Sequence, residues 1–167
     1  MRLGPDNASL RVLTYREGVA AKVGHDLVLE VTRWEADVAA GSVELTADPR
    51  SLAVREGRRG VKPLTDRDRD EIRRNIDEKV LQGRRIAFRS TAVRRDGAQL
   101  AVEGELTIGD ATRPVTARLD VSADGKASGT IALAQTHWGI KPYRGLMGAL
   151  KVRDELEVAI EAPLPDG

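Results

Sequence analysis

Two histidines are the side chains of this sequence best suited to acid–base chemistry or metal binding. His25 is followed directly by Asp26, whereas His137 lies far along the chain. An imidazole titrates near neutral pH, and a carboxylate beside it can fix its orientation. Consecutive strand residues point to opposite faces, so we do not expect the side chains of His25 and Asp26 to bond to each other. A structural role for the pair is favoured, and an enzyme that uses His25 or His137 on an apolar substrate is the alternative.

Other catalytic and cofactor-binding patterns are missing from the sequence. It contains no cysteine, which excludes thiolate nucleophiles, disulfides and zinc–thiolate sites. It also has no H-x-x-x-H spacing, no G-x-S-x-G motif, no phosphate-binding P-loop and no dinucleotide-binding fingerprint. We therefore predict no catalytic residue, no metal site and no cofactor.

Two aromatic residues, Trp138 and Tyr143, flank a short segment and form a candidate ligand contact. An aromatic ring at the rim of a cavity offers an apolar body and a polar tip. Lys141 and Arg144 nearby are suited to pairing with an anionic headgroup such as a phosphate. The competing interpretation is a loop that only covers the end of a barrel.

The elements that position these residues are predicted to be antiparallel strands. Apolar and polar residues alternate in eight segments, which indicates strands with one buried and one solvated face. The segments are 9–16, 26–39, 42–47, 85–93, 98–108, 114–122, 127–135 and 155–162. Asp124-Gly125 lies between two of them and is typical of a hairpin turn.

One α-helix is predicted to interrupt the strands near residues 65–81. Thr65 is suited to the N-cap, with Asp68 three residues later completing a capping box. The apolar residues that recur every fourth position are Ile72, Ile76 and Val80. This single apolar stripe predicts a helix that lies on the sheet or plugs a barrel end. The segment 55–63 before it is interpreted as a basic, solvated loop, because acidic residues follow at once.

Length and charge set the broad class of the protein. The 167 residues fit a single domain over 1–167. With 27 Lys+Arg against 26 Asp+Glu, the net charge of +1 argues against a nucleic-acid partner. No apolar run approaches the roughly 20 residues of a membrane span. The start does not resemble a signal peptide, and with the lack of cysteine this predicts a cytoplasmic location.

The sequence contains one Phe, two Trp and two Tyr, so any core must be almost wholly aliphatic. Eight such strands can close into a barrel wide enough for side chains or one small ligand, and a two-sheet sandwich is the alternative. Small residues on the apolar face, such as Gly104 and Gly129, favour an unfilled interior that accepts an apolar guest. The residues predicted to contact the ligand are Val12, Leu29, Val31, Leu45, Phe88, Val102, Leu106, Leu119, Ile131, Leu133, Trp138 and Tyr143.

Several short motifs are shared with a known family. The most specific is Gly104-Glu105-Leu106-Thr107-Ile108 followed by Thr112-Arg113-Pro114-Val115. Further matches are found at 23–27, 31–34, 42–45, 51–52, 86–91, 138–143 and 148–152. On these motifs the chain, from about Arg11 to Pro163, resembles the YceI-like, polyisoprenoid-binding family.

The resemblance implies a lipocalin-like, antiparallel β-barrel that holds a long amphiphile, typically an isoprenoid chain. The expected fold is therefore all-β, a single eight-stranded barrel with one helix inserted near residues 65–81. The expected function is that of a binding or carrier protein, not an enzyme, whose partner is a lipid or isoprenoid-like small molecule. A stress-response or structural protein with a filled core is a further alternative, and a homodimer is left open.

Overall fold

The computed structural model describes residues 1–145, 147 and 150–166, and within them the chain is mainly β with one α-helix. An all-β protein with a single helix was predicted, and this is confirmed. Gly148 and Ala149, which belong to the motif at 148–152, lie outside the described residues. No helix in the described ranges is long and apolar enough to cross a membrane.

Eleven strands form one antiparallel sheet. In chain order they are β1 (Arg2–Leu3), β2 (Ser9–Thr14), β4 (Asp26–Val31), β5 (Trp34–Ala39), β6 (Ser42–Ala47), β7 (Leu52–Arg58), β8 (Ile86–Asp96), β9 (Gln99–Ile108), β10 (Ala111–Val121), β11 (Lys126–Ala134) and β14 (Glu155–Pro163). Their spatial order is β1-β5-β6-β8-β9-β10-β11-β14-β2-β4-β7. A second sheet has the order β12 (Arg144–Gly145), β13 (Leu150–Val152) and β3 (Arg16–Glu17).

The large sheet curls strongly back on itself. Strands β4 and β5 lie near opposite ends of the strand order, yet only Thr32 and Arg33 separate them in the chain. Backbone hydrogen bonds hold this bend against the turn between β6 and β7, from Thr32 N to the Ser51 carbonyl (2.8 Å) and from Asp48 N to the Arg33 carbonyl (2.9 Å). The covalent connection therefore forces the two ends of the sheet to approach each other.

The large sheet has more strands than the predicted eight, because one predicted strand is divided and another strand was not predicted. The predicted strand 26–39 is divided at Thr32 and Arg33 into β4 and β5. Strand β7 (Leu52–Arg58) was not predicted, and it includes the first part of the predicted basic loop 55–63. Only Leu52 and Val54 of β7 are buried, whereas Arg55 and Glu56 are exposed, so its apolar alternation is too short to stand out.

The helix forms as predicted at its start and differs at its end. The Thr65 hydroxyl accepts from Asp68 N (3.1 Å), and the Asp68 carboxylate accepts from Thr65 N (2.9 Å), which completes the capping box of α1 (Asp66–Asn75). The chain continues as a π-helix over Ile76–Leu81. The Arg69 guanidinium donates to the Val54 carbonyl (2.9 Å), and the apolar stripe packs on the core, so the helix lies against β7.

The apolar core has two parts. One part, under the helix, contains the buried residues Leu29, Val31, Leu52, Val54, Leu81, Trp138 and Ile140. The other contains Leu100, Val102, Ala117, Leu119, Val121 and Ala127, from β9, β10 and β11. The hairpin predicted at Asp124-Gly125 joins β10 to β11, with Val121 opposite Ala127.

Candidate ligand-binding cavity

The curled sheet surrounds a cavity of about 1220 Å³. Every strand of the large sheet contributes at least one lining residue, and the side of the helix that carries Ile72 and Ile76 contributes as well. The volume is about eight times the roughly 150 Å³ of an apolar cavity that binds benzene. It also exceeds the usual upper range of small-molecule pockets, about 1,000 Å³. The space is therefore sufficient for a long molecule.

The structure brings nearly all of the predicted ligand-contacting residues together. Eleven of the twelve line the cavity: Val12, Leu29, Val31, Leu45, Phe88, Val102, Leu106, Leu119, Ile131, Leu133 and Tyr143. Contact with a ligand remains a prediction for each of them. Trp138 is not among the lining residues. Its side chain is 5% exposed in the core beneath the helix, and its indole Nε1 donates to the Leu106 carbonyl at 2.8 Å.

The inward-facing side chains do not fill the interior. Val12, Leu45, Phe88, Leu106 and Ile131 face inward and line the cavity, yet they are only half-buried. In a core at normal protein density such side chains contact one another and lose their exposure. Here their inner surfaces face empty space.

The glycines predicted to leave this space do not create it. A Cβ built on Gly104 would lie 2.5 Å from Cζ of Phe88, and one built on Gly129 would lie 2.9 Å from Cδ2 of Leu119. The room that each missing side chain leaves is thus already occupied by a neighbour on the adjacent strand. We conclude that the cavity results from the length and curvature of the sheet, which aliphatic side chains are too short to bridge.

The two histidines do not share the cavity. His25 lines it and its Nε2 lies 2.6 Å from the Lys62 carbonyl oxygen, whereas His137 is exposed and is not a lining residue. Asp26 is buried and accepts from the backbone N–H of Arg16 (2.9 Å). The side chains of His25 and Asp26 therefore have different partners, as strand geometry predicts. Within the described residues, no group of three or more acidic or histidine side chains could hold a metal ion.

The polar residues of the cavity lie mainly at one end, near the helix N-terminus. The members of this group are Arg16, His25, Lys62, Asp68, Glu71 and Lys151. Sequence reasoning singled out His25, as a candidate for acid–base chemistry, and missed the other five as cavity residues. All six come from β3, β13, two loops and α1, and only the strand pairing of the second sheet and the loop contacts bring them together. The basic composition of 55–63 was the one available signal.

Lys141 and Arg144, considered for an anionic headgroup, are exposed and do not line the cavity. Tyr143 does line it, and its ring centre lies 5.8 Å from Nζ of Lys79, within the range of a cation–π contact. The hydrogen bonds from the Thr65 backbone N–H and hydroxyl lower the pKa of Asp68, so this lining carboxylate is ionised at neutral pH.

Comparison with known proteins supports the assignment made from the sequence motifs. The YceI-like domain matches residues 7–164 of the chain. The chain belongs to the YceI-like family. The crystal structure of Burkholderia cenocepacia BcnA resembles this YceI-like chain with a TM-score of 0.65 over 92% of this chain and 94% of that chain, at 14% sequence identity. At that identity the likeness shows a common fold. No curated protein matches the sequence.

Proposed function

We propose that this YceI-like protein is a carrier that holds one long apolar or amphiphilic molecule, such as an isoprenoid-like lipid, in the interior of the curled sheet. No bond is made or broken in this function. The observation that carries the proposal is the cavity of about 1220 Å³, part of whose aliphatic lining stays only half-buried. Burying an apolar chain there would contribute about 25 cal/mol for each Å² removed from water. Family membership and fold fit a lipid-binding carrier.

The proposal includes closure of the large sheet into a barrel around the ligand. If β4 with β5, and β6 with β7, are each counted as one bent strand, eight strands remain in the large sheet beside the short β1. The bent strand 26–39 then pairs with β2 through β4, and the bent strand 42–58 pairs with β8 through β6. An eight-stranded barrel of this kind has an interior suited to one small ligand.

An amphiphile fits the cavity better than a plain hydrocarbon. The group formed by Arg16, His25, Lys62, Asp68, Glu71 and Lys151 places charged and hydrogen-bonding side chains at one end of the cavity. The walls that carry Leu45, Phe88 and Ile131 are apolar. A polar headgroup would lie at the end with the charged side chains, where it can contact both water and those side chains. The apolar tail would extend along the aliphatic walls.

The alternatives have less support. An enzyme that uses His25 or His137 on an apolar substrate was expected to hold both histidines in one pocket, whereas His25 lines the cavity and His137 is exposed. A structural protein with a filled core would need inward side chains packed to normal density, which the half-buried walls argue against.

The proposal is tested by filling the cavity. Ile131→Trp places an indole in the interior, because Ile131 faces inward on β11 and is half-buried. The neighbouring Thr130 is exposed on the outer face, so Thr130→Trp is the matched control. Native mass spectrometry of protein purified from cells should show a bound lipid-sized adduct in the wild type and in the control, and a reduced adduct in Ile131→Trp.

A direct binding measurement completes the test. We expect geranylgeraniol to displace the fluorescent fatty acid cis-parinaric acid from the wild type and from Thr130→Trp, with affinity at least tenfold weaker in Ile131→Trp. If no adduct is found and neither probe binds the folded wild type, the carrier function is wrong.

A further inference from the structure

Large apolar side chains with high exposure are concentrated at one end of the molecule. Among the described residues, five stand out: Met1 (49% exposed), Val19 (95%), Val23 (59%), Val61 (70%) and Met147 (106%). Only Met1 lies elsewhere, at the edge strand beside Val38. Soluble proteins rarely group exposed apolar side chains without an interaction partner.

The remaining four residues belong to three segments that contact one another. Strand β3 pairs with β13, with Glu17 opposite Lys151. The Arg16 guanidinium donates to the carbonyl of Gly24 (2.9 Å) and to that of Arg59. His25 binds the Lys62 carbonyl at 2.6 Å. We call this assembly the mouth; it comprises residues 16–26, 57–64, 143–145, 147 and 150–152.

The cavity reaches the surface at the mouth. Val23 and Val61 both line the cavity, and both are more than half exposed to solvent, at 59% and 70%. Val19 and Met147 do not line it and extend outward. At the mouth, exposed apolar side chains therefore lie where the cavity meets solvent.

The mouth also carries an excess of basic residues. It contains seven Lys or Arg residues and two acidic residues, Glu17 and Asp26, and the carboxylates of Glu56, Asp68 and Glu71 lie at the same end of the cavity. Asp26 is buried, and its carboxylate lies 3.4 Å from Nε of Arg59. Basic side chains therefore outnumber acidic ones at this end of the molecule.

We propose that the mouth docks on the surface of an anionic lipid bilayer. The side chains of Val19, Val23, Val61 and Met147 enter the interface between headgroups and acyl chains, and the surrounding lysines and arginines contact the lipid phosphates. The basic side chains of the mouth favour the orientation in which the opening faces the membrane. An apolar ligand can then pass between bilayer and cavity without crossing water; this last step alone rests on the proposed function.

Binding to vesicles tests the docking without any ligand. The intact protein should co-sediment with vesicles of phosphatidylcholine mixed with phosphatidylglycerol, and much less with phosphatidylcholine alone. Added salt should weaken the binding, because it screens exposed charges. Each Lys or Arg near an anionic surface contributes about a fivefold factor to partitioning. Lys22→Glu/Arg144→Glu should therefore reduce partitioning by at least about tenfold.

Two further variants separate the contributions of apolar insertion and of local charge to membrane binding. Val19→Ser/Met147→Ser keeps the charge and should weaken partitioning by removing the inserted apolar groups. Arg118→Glu/Lys126→Glu, at exposed positions on β10 and β11, changes the net charge as much as Lys22→Glu/Arg144→Glu and should leave most of the binding intact. Lys22→Glu/Arg144→Glu and Val19→Ser/Met147→Ser alter no cavity-lining residue. Displacement of cis-parinaric acid by geranylgeraniol should therefore not change in either variant. That readout distinguishes loss of docking from loss of the carrier function.

Three outcomes would overturn the proposal. One is a folded wild type that does not co-sediment with anionic vesicles. Another is equal loss of binding in the control and in Lys22→Glu/Arg144→Glu, which would indicate attraction by net charge alone. The third is a dimer in sedimentation that Val19→Ser/Met147→Ser dissociates, since the apolar side chains would then be covered by a second copy of the chain.

Discussion

The indole Nε1 of Trp138 donates a hydrogen bond to the backbone carbonyl oxygen of Leu106, with a distance of 2.8 Å. Leu106 lines the cavity from β9, whereas Trp138 ends the 3₁₀ helix Gln135–Trp138 and is 5% exposed. The contact ties the segment that follows β11 to the cavity wall. The aromatic residue expected at a ligand therefore supports the wall from outside the cavity.

Truncating Trp138 should destabilise the fold, and more so when the ring is lost together with the hydrogen bond. We expect Trp138→Phe to lower the free energy of unfolding by about 1 kcal/mol or somewhat more, mainly through the lost hydrogen bond. Trp138→Ala should cost about 3–5 kcal/mol because it also leaves a cavity in the core. Urea denaturation followed by circular dichroism measures both. Equal, negligible losses would show that the indole is not part of the core.

Adding a methyl group at Gly104 should strain the contact between β8 and β9. Its Cβ would lie 2.4 Å from the Arg89 carbonyl oxygen and 2.5 Å from the Phe88 ring, so Gly104→Ala is expected to lower stability by about 1–3 kcal/mol. Replacing the ring by a shorter side chain in Phe88→Leu should relieve part of this strain. A double-mutant cycle in urea would then show a favourable coupling between the two substitutions. Strict additivity would show that the strain comes from the Arg89 carbonyl and not from the Phe88 ring.

The two faces of β9 should respond differently to polar and apolar changes. Leu106 faces the apolar cavity, and Leu106→Asp is expected to cost about 3 kcal/mol, since it places a carboxyl group among aliphatic side chains. Glu105 is exposed on the opposite face, and Glu105→Ala should stay within about 0.5 kcal/mol of the wild type. Thermal melts of the pair provide the measurement, and similar melting temperatures would show that the faces are wrongly assigned.

Asp154 should contribute stability that is lost in acid. The Thr136 hydroxyl donates to its carboxylate at 2.6 Å and the Thr136 backbone N–H donates at 2.8 Å, which lowers the pKa of Asp154 below its ordinary 3.8. The folded state therefore favours the ionised form. The resulting stability is fully present above the ordinary pKa and disappears as the pH falls through the lower, folded-state pKa.

Comparison with Asp154→Asn isolates this contribution from that of other carboxylates. At neutral pH the wild type should be more stable than Asp154→Asn by up to about 1 kcal/mol, a modest value because the group is largely solvated. At about pH 3 the difference should become smaller. A difference in unfolding free energy that is constant across this range would exclude the carboxylate as its source.

Much of the fold could be predicted from local patterns. Alternation in the segments that became β9, β10, β11 and β14 spans nine to eleven residues, long enough to identify each strand and its inward face. The capping box at Thr65 and Asp68 is equally local, because both partners lie within one helical turn. The break at Thr32 and Arg33 could not be predicted in this way, since it depends on hydrogen bonds to residues 48–51.

The candidate site was predictable in part for the same reason. Inward-facing residues such as Val12 and Ile131 follow from the period of a strand, which is a property of neighbouring residues. The position of Trp138 does not follow, because aromatic character suits both a cavity rim and a buried core position. Its hydrogen bond to Leu106 links residues far apart in the sequence.

The chemistry of the walls follows from the sequence alone: aliphatic side chains on one face of long strands, a capped amphipathic helix, and no cysteine. Whether those walls meet or enclose space depends on the fold as a whole. Periodicity specifies which way a side chain points but not how far away the opposite wall lies. That distance is set by the curvature of the whole sheet, whereas the pairing of β3 with β13 and the loop contacts bring Arg16, His25 and Lys62 together at the mouth.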